Sequence, residues 1–140
     1  MTMVRPEGFE MKVEHRELLE RMGPARRVLV VDDHDSFRRC ASALLASEGF
    51  DVVGEAADGA TALALAEQLA PELVLLDVQL PDLDGFAVAE GLLARDPEVR
   101  IVLVSSRDRS SYGSLIETSG ALGFLCKGDL SGPELERLLA

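Results

Sequence analysis

Four short apolar runs in the chain each stop on residues able to carry charge or donate a hydrogen bond. Val28–Val31 stops on Asp32-Asp33, Leu73–Leu76 on Asp77, Ile101–Val104 on Ser105-Ser106, and Ala121–Cys126 on Lys127. If the runs are parallel strands of one sheet, all four endings lie on the same edge, where open α/β sheets gather their ligands. Three carboxylates crowded together repel one another and call for a counter-charge, and their hard oxygen donors suit Mg²⁺. A carboxylate, a hydroxyl and a lysine around a divalent cation fit phosphoryl chemistry. Asp77 attacks as nucleophile, the cation and Lys127 neutralise phosphoryl oxygens, and Ser105 hydrogen-bonds the product. Each residue alone has an ordinary role: Asp32-Asp33 as a helix cap, Ser105 as a strand end, Lys127 as a solvated side chain. A compatible set at four strand ends is what carries the reading. His34, beside the acidic pair, is expected to face the helix or solvent, and His15 lies in the N-terminal stretch.

The elements that must position these groups follow from hydrophobic spacing. Val28–Val31, with its β-branched residues, is too short for a helix and reads as a buried parallel strand. Asp35 or Ser36 caps a helix carrying Phe37, Cys40, Ala41, Leu44 and Leu45 on one face, and Gly49 marks its end. A second strand passes through Val52 and Val53. Asp58-Gly59 then turns into an alanine-rich helix from Ala60 to Leu69, halted by Pro71. After the Asp77 strand and its Pro, Asp and Gly loop, Phe86, Ala89 and Leu93 mark a third helix reaching Asp96-Pro97. A weaker, serine-rich helix follows the fourth strand through Tyr112, Leu115 and Ile116. Ser131 to Glu134 has the spacing of a capping box and starts a last helix with Leu135, Leu138 and Leu139 inward. Five strands alternating with five helices predict an α/β, doubly wound five-stranded parallel sheet in the flavodoxin-like order.

Composition narrows the classes. The 140 residues fit one domain by length, and a net charge of −11 opposes unspecific binding to nucleic acid or anionic membrane. Cys40 and Cys126 have neither CxxC nor CxxH spacing and sit in apolar patterns, so both are expected as buried free thiols in a reducing cytoplasm. No run approaches the length of a membrane span, and Met1 to Arg21 lacks the apolar centre of a signal peptide. Residues 1–25 differ in texture from the rest. Phe9, Val13, Leu18, Leu19 and Met22 fit one side of a short helix, either a frayed extension or a partner-binding or dimer-forming segment, with Gly23-Pro24 as its boundary.

With these residues in place, the sequence resembles the receiver domain of two-component response regulators. Val28 to Asp33 is similar to that family's first strand and acidic pair, and Leu73 to Gly85 to its phosphoacceptor strand and loop. Ile101 to Ser106 and Gly123 to Lys127 match the strands ending in the hydroxyl residue and the lysine. The resemblance spans Arg27 to about Leu139. It implies that Asp77 is phosphorylated, that Asp33, Asp77 and the Gln79 carbonyl bind Mg²⁺, and that Asp32 holds a metal-bound water. It further implies that Ser105 turns toward the phosphoryl group, that Phe124 occupies the aromatic switch position, and that Lys127 pairs with the phosphoryl group.

Implied partners are a histidine kinase or phosphotransfer protein and a downstream effector protein, with dimerisation through the helix-four, strand-five and helix-five face or through residues 1–25. Gly128 stands where the family commonly has proline, so a cis bond there is not expected. The Val-Gly-Glu-Ala-Ala-Asp-Gly segment is similar to receivers that precede helix-turn-helix DNA-binding domains. That similarity points to a longer DNA-binding regulator as the alternative; because the sequence stops after helix five, the expectation is a stand-alone receiver acting through a partner. A phosphohydrolase of the haloacid dehalogenase type needs an acid two residues after its nucleophile, where this chain has Gln79.

Overall fold

The computed structural model describes residues 26–140; the reading of residues 1–25 as a helical extension lies outside them. The chain alternates β1 (Arg27–Val31), α1 (Asp35–Ser47), β2 (Asp51–Ala56), α2 (Gly59–Leu69), β3 (Leu73–Asp77), α3 (Gly85–Arg95), β4 (Arg100–Ser105), α4 (Leu115–Thr118), β5 (Gly123–Cys126) and α5 (Gly132–Leu139). Short 3₁₀ turns at Arg109–Ser111 and Lys127–Asp129 precede α4 and α5. All strands are parallel, in the order β2-β1-β3-β4-β5. That is the flavodoxin-like arrangement expected from the alternation.

β1, β3 and β4 are central and covered on both sides, which is why their sequences are continuous rather than alternating apolar runs. Alternate residues feed two cores. Leu29, Val31, Val74, Leu76, Ile101 and Leu103 pack with Ala62, Val88, Ala89 and Leu92 from α2 and α3. Val28, Val30, Leu73, Leu75, Val102 and Val104 pack with Ala41 and Leu45 of α1 and Leu135 of α5. β2, at the edge, is half-exposed, and its pairing with β1 slips between Val28 and Leu29, leaving Val53 as the extra residue.

Helix starts follow local chemistry. Asp58, Asp84 and Ser131 accept from the backbone N–H of Thr61, Ala87 and Glu134, respectively. The last of these is the expected cap at Ser131. α1 departs from expectation: His34 is its N-cap, without a side-chain capping bond, and Asp35 and Ser36 lie inside the helix. Asp35 instead accepts from Arg38 at 2.6 Å.

Cys40 also departs. It is exposed, because Ala41 and Leu45 fix the inward stripe of α1 and leave Cys40 on its outer flank. α4 has only four helical residues, in keeping with its serine content. β5 begins at Gly123, two residues later than its apolar pattern indicated. Among the described residues no peptide bond is cis and no helix is long and apolar enough to cross a membrane.

Candidate functional site

The endings of β1, β3, β4 and β5 converge at one edge as the topology requires. Asp32 is fully buried, Asp77 is 2 % exposed and Ser105 1 %, the only buried polar side chains in the described chain. Asp33 is partly open, with its side chain 34 % exposed. Lys127 reaches back across the edge of the sheet. Its Nζ lies 2.7 Å from Asp32 Oδ2 and 3.3 Å from Asp77 Oδ2, with the Phe37 ring 4.7 Å away beneath the ammonium. Such a pairing is needed because two carboxylates buried side by side without a cation would each lack compensation.

Asp77 feels that confinement most. Burial first, and then the charge of Asp32, push its pKa up to about 6, against the lowering effects of the Gln79 N–H and Lys127. The Gln79 N–H donates to Asp77 Oδ1 at 3.1 Å, so the loop after β3 begins by gripping the carboxylate. Burial works against the Lys127 ammonium, yet its bond to Asp32 and the charges of Asp77 and Asp32 outweigh it and hold its pKa above the ordinary value.

The donors gathered at the site fit a cation by their chemistry. Asp32, Asp33, His34 and Asp77 each offer a ligand atom, and these atoms lie within 4.8 Å of one another. Carboxylate oxygens dominate the set, which suits a hard divalent ion such as Mg²⁺. His34 faces solvent at the start of α1, as its sequence context suggested, and also touches the acidic pair. Although 65 % exposed, its Nδ1 lies 3.1 Å from Asp33 Oδ1 and 3.2 Å from Asp32 Oδ1, because the N-cap position of α1 bends it back over the pair. The His34 N–H donates to Asp32 Oδ1 at 2.8 Å, and Arg38 Nη1 donates to the Asp32 carbonyl at 2.8 Å. These contacts pin the end of β1.

Two groups that sequence reasoning left out of the site shape it. Asp82, in the loop after Asp77, accepts from the N–H groups of Gly59 at 2.7 Å and Ala60 at 2.9 Å, tying that loop to the start of α2. These bonds hold the Asp82 pKa below the usual carboxylate value. Tyr112 OH lies 2.6 Å from Ser105 Oγ, and its ring packs between Phe86 and Phe124. Phe124, read as a switch residue, is 9 % exposed and part of the larger core.

The match to known proteins agrees with this geometry. Residues 28–137 match the model of the response regulator receiver domain. The chain belongs to that family. It is 38 % identical over 103 residues to the response regulator GacA of Pseudomonas aeruginosa, a match covering 73 % of this chain and 48 % of GacA. Against the transcriptional regulatory protein DegU of Brevibacillus brevis it is 33 % identical over 102 residues, covering 72 % of this chain and 43 % of DegU. It thus spans about half the length of the curated relatives it matches.

Among solved structures, the signal receiver domain of NarL from Mycobacterium tuberculosis superposes with a TM-score of 0.73 at 36 % identity, covering 84 % of this chain and 94 % of that one. The chemotaxis response regulator CheY4 of Vibrio cholerae gives 0.73 at 27 %, covering 81 % and 98 %. This receiver is a signalling domain of two-component systems, and the resemblance drawn from its motifs holds.

Proposed function

We propose that this receiver takes a phosphoryl group on Asp77 from a histidine kinase or phosphotransfer protein and passes the signal to an effector protein. The observation that carries this is the Asp77 carboxyl itself: buried at the end of β3, gripped by Gln79 N–H and faced by Lys127 beside a second buried aspartate. An Asp77 oxygen forms the bond to phosphorus as the bond from phosphorus to the donor breaks, and the electron pair leaves with the donor. Lys127, already within ion-pair distance of Asp77, balances the added charge. Ser105, at the end of the neighbouring strand, is the hydroxyl that hydrogen-bonds the modified group.

Asp33, Asp77 and the Gln79 carbonyl would hold Mg²⁺, with Asp32 holding a bound water, and the ion would supply positive charge for the phosphoryl oxygens. Phe124 adjoins the rearranging region around α4 and β5 and fills space when Ser105 turns. With a net charge of −11 the chain does not itself take nucleic acid. Its readers are proteins, whether a separate effector or the output part of a longer regulator.

The test is incubation with acetyl phosphate and Mg²⁺ followed by intact mass. One added phosphoryl group is expected, and none in Asp77→Asn. An adduct that survives Asp77→Asn, or no adduct in the unaltered protein, contradicts the proposal.

A further inference from the structure

We infer that Tyr112 is a positioning residue for phosphorylation: its hydroxyl latches Ser105 in the resting state and must release it when Ser105 turns to the phosphoryl group. The inference rests on the reading of Asp77 as the phosphoacceptor and adds a residue that acts on it through Ser105.

The geometry points to competition for one hydroxyl. Ser105 Oγ lies 2.6 Å from Tyr112 OH, at the short end for an O–H···O bond, and accepts from Arg107 N–H at 3.0 Å. Ser105 is buried, so its hydroxyl depends on these two partners, and leaving it unpaired is disfavoured. With Tyr112 and Arg107 as partners, the Ser105 hydroxyl is held toward the β4–α4 connection. A phosphoryl group on Asp77 offers a charged acceptor, which outcompetes a neutral phenol as partner of the Ser105 hydroxyl.

The latch is mounted on a short, irregular segment. Tyr112 follows the 3₁₀ turn at Arg109–Ser111 and precedes Gly113, whose φ of 54° breaks the chain before the four-residue helix α4. Its ring is half-buried against Phe86 at 5.7 Å and Phe124 at 5.8 Å, which places it between the helix following the phosphoacceptor loop and β5. Phe124 has no hydroxyl of its own. The group linking Ser105 to the aromatic cluster comes instead from Tyr112, so loss of this bond uncouples Tyr112 from Ser105 while leaving its ring free to shift with Phe124.

The chain contains one tyrosine and no tryptophan, so its tyrosine signal belongs to Tyr112 alone. In the resting protein, Ser105→Ala is expected to change the Tyr112 absorption and fluorescence, and phosphorylation of the unaltered protein to change them likewise. The decisive experiment is a double-mutant cycle with Tyr112→Phe, which keeps the ring and removes only the hydroxyl. The initial rate of phosphorylation by acetyl phosphate at saturating Mg²⁺ is expected to rise about fivefold in Tyr112→Phe, the effect of deleting one ordinary hydrogen bond from the resting state. In the Ser105→Ala background the same substitution is expected to leave the rate unchanged.

A rate that rises equally in both backgrounds would mean that Tyr112 acts through packing and would overturn the latch, as would a rate that fails to rise with Ser105 present. A Tyr112 signal indifferent to Ser105→Ala would overturn it without any phosphodonor. Failure of the unaltered protein to form any adduct would instead remove the Asp77 reading beneath it.

Discussion

Asp77 is a carboxylate held in an environment that disfavours its charge. Because its folded pKa of about 6 lies above the ordinary 3.8, the folded state binds its proton more tightly than the unfolded chain does. The resulting stability is fully present below pH 3.8 and is lost as pH rises through 6. Asp77→Asn, which mimics the protonated form, is therefore expected to stabilise the metal-free protein at neutral pH by about 2 kcal/mol. Paired urea titrations in chelator at several pH values check this: the gain disappears near pH 4, and with Mg²⁺ the unaltered protein recovers more than the variant. Asp33→Ala removes a half-open carboxylate from the donor set while leaving Lys127 on Asp32 and Asp77, and is expected to weaken Mg²⁺ binding about tenfold or more by calorimetry. At this scale the sequence was largely legible, since strand ends fix which residues meet. His34 faces solvent as expected, but its contact with the acidic pair depends on the capping geometry of α1 and was not legible; Tyr112 reads only as a helix residue because nothing in a serine-rich stretch says where it folds back.

The elements hold the site through the loops between them. Gly85 starts α3 against the end of β3: a Cβ there would sit 2.7 Å from Val78 Cα and closer still to the Asp77 carbonyl, both backbone atoms. Gly85→Ala is expected to destabilise the fold by about 2 kcal/mol or more and to reduce phosphorylation, measured by urea unfolding and intact mass on the same preparation. Asp82→Ala frees the N–H groups of Gly59 and Ala60, and amide exchange at the start of α2 is expected to accelerate without loss of the sheet. Because the Asp82 pKa is lowered, its contribution is present above the ordinary carboxylate value and fades as pH falls through the lowered one. The existence and order of the elements were readable from apolar runs and helical spacing. The Asp82 cap was not, because it joins residues 22 and 23 positions apart whose contact exists only once α2 and the loop after β3 are packed. Cys40 failed for a related reason: a wide apolar pattern in α1 does not say which of its flanks the sheet covers.

The chain is strongly acidic, and its candidate site lies at one edge of the sheet. At −11 it should leave the anisotropy of a labelled DNA duplex unchanged at physiological salt, phosphorylated or not, whereas a partner protein should respond to phosphorylation. Binding of DNA by this chain alone would show that output does not need another surface. The central claim, that Asp77 is the phosphoacceptor, is tested most directly by locating the modification. Borohydride reduction of the acetyl phosphate-treated protein turns an aspartyl phosphate into homoserine, which peptide sequencing by mass places in the chain. Homoserine at position 77 alone is the result predicted; homoserine at position 32 or 33, or none despite a stable mass adduct, would contradict it.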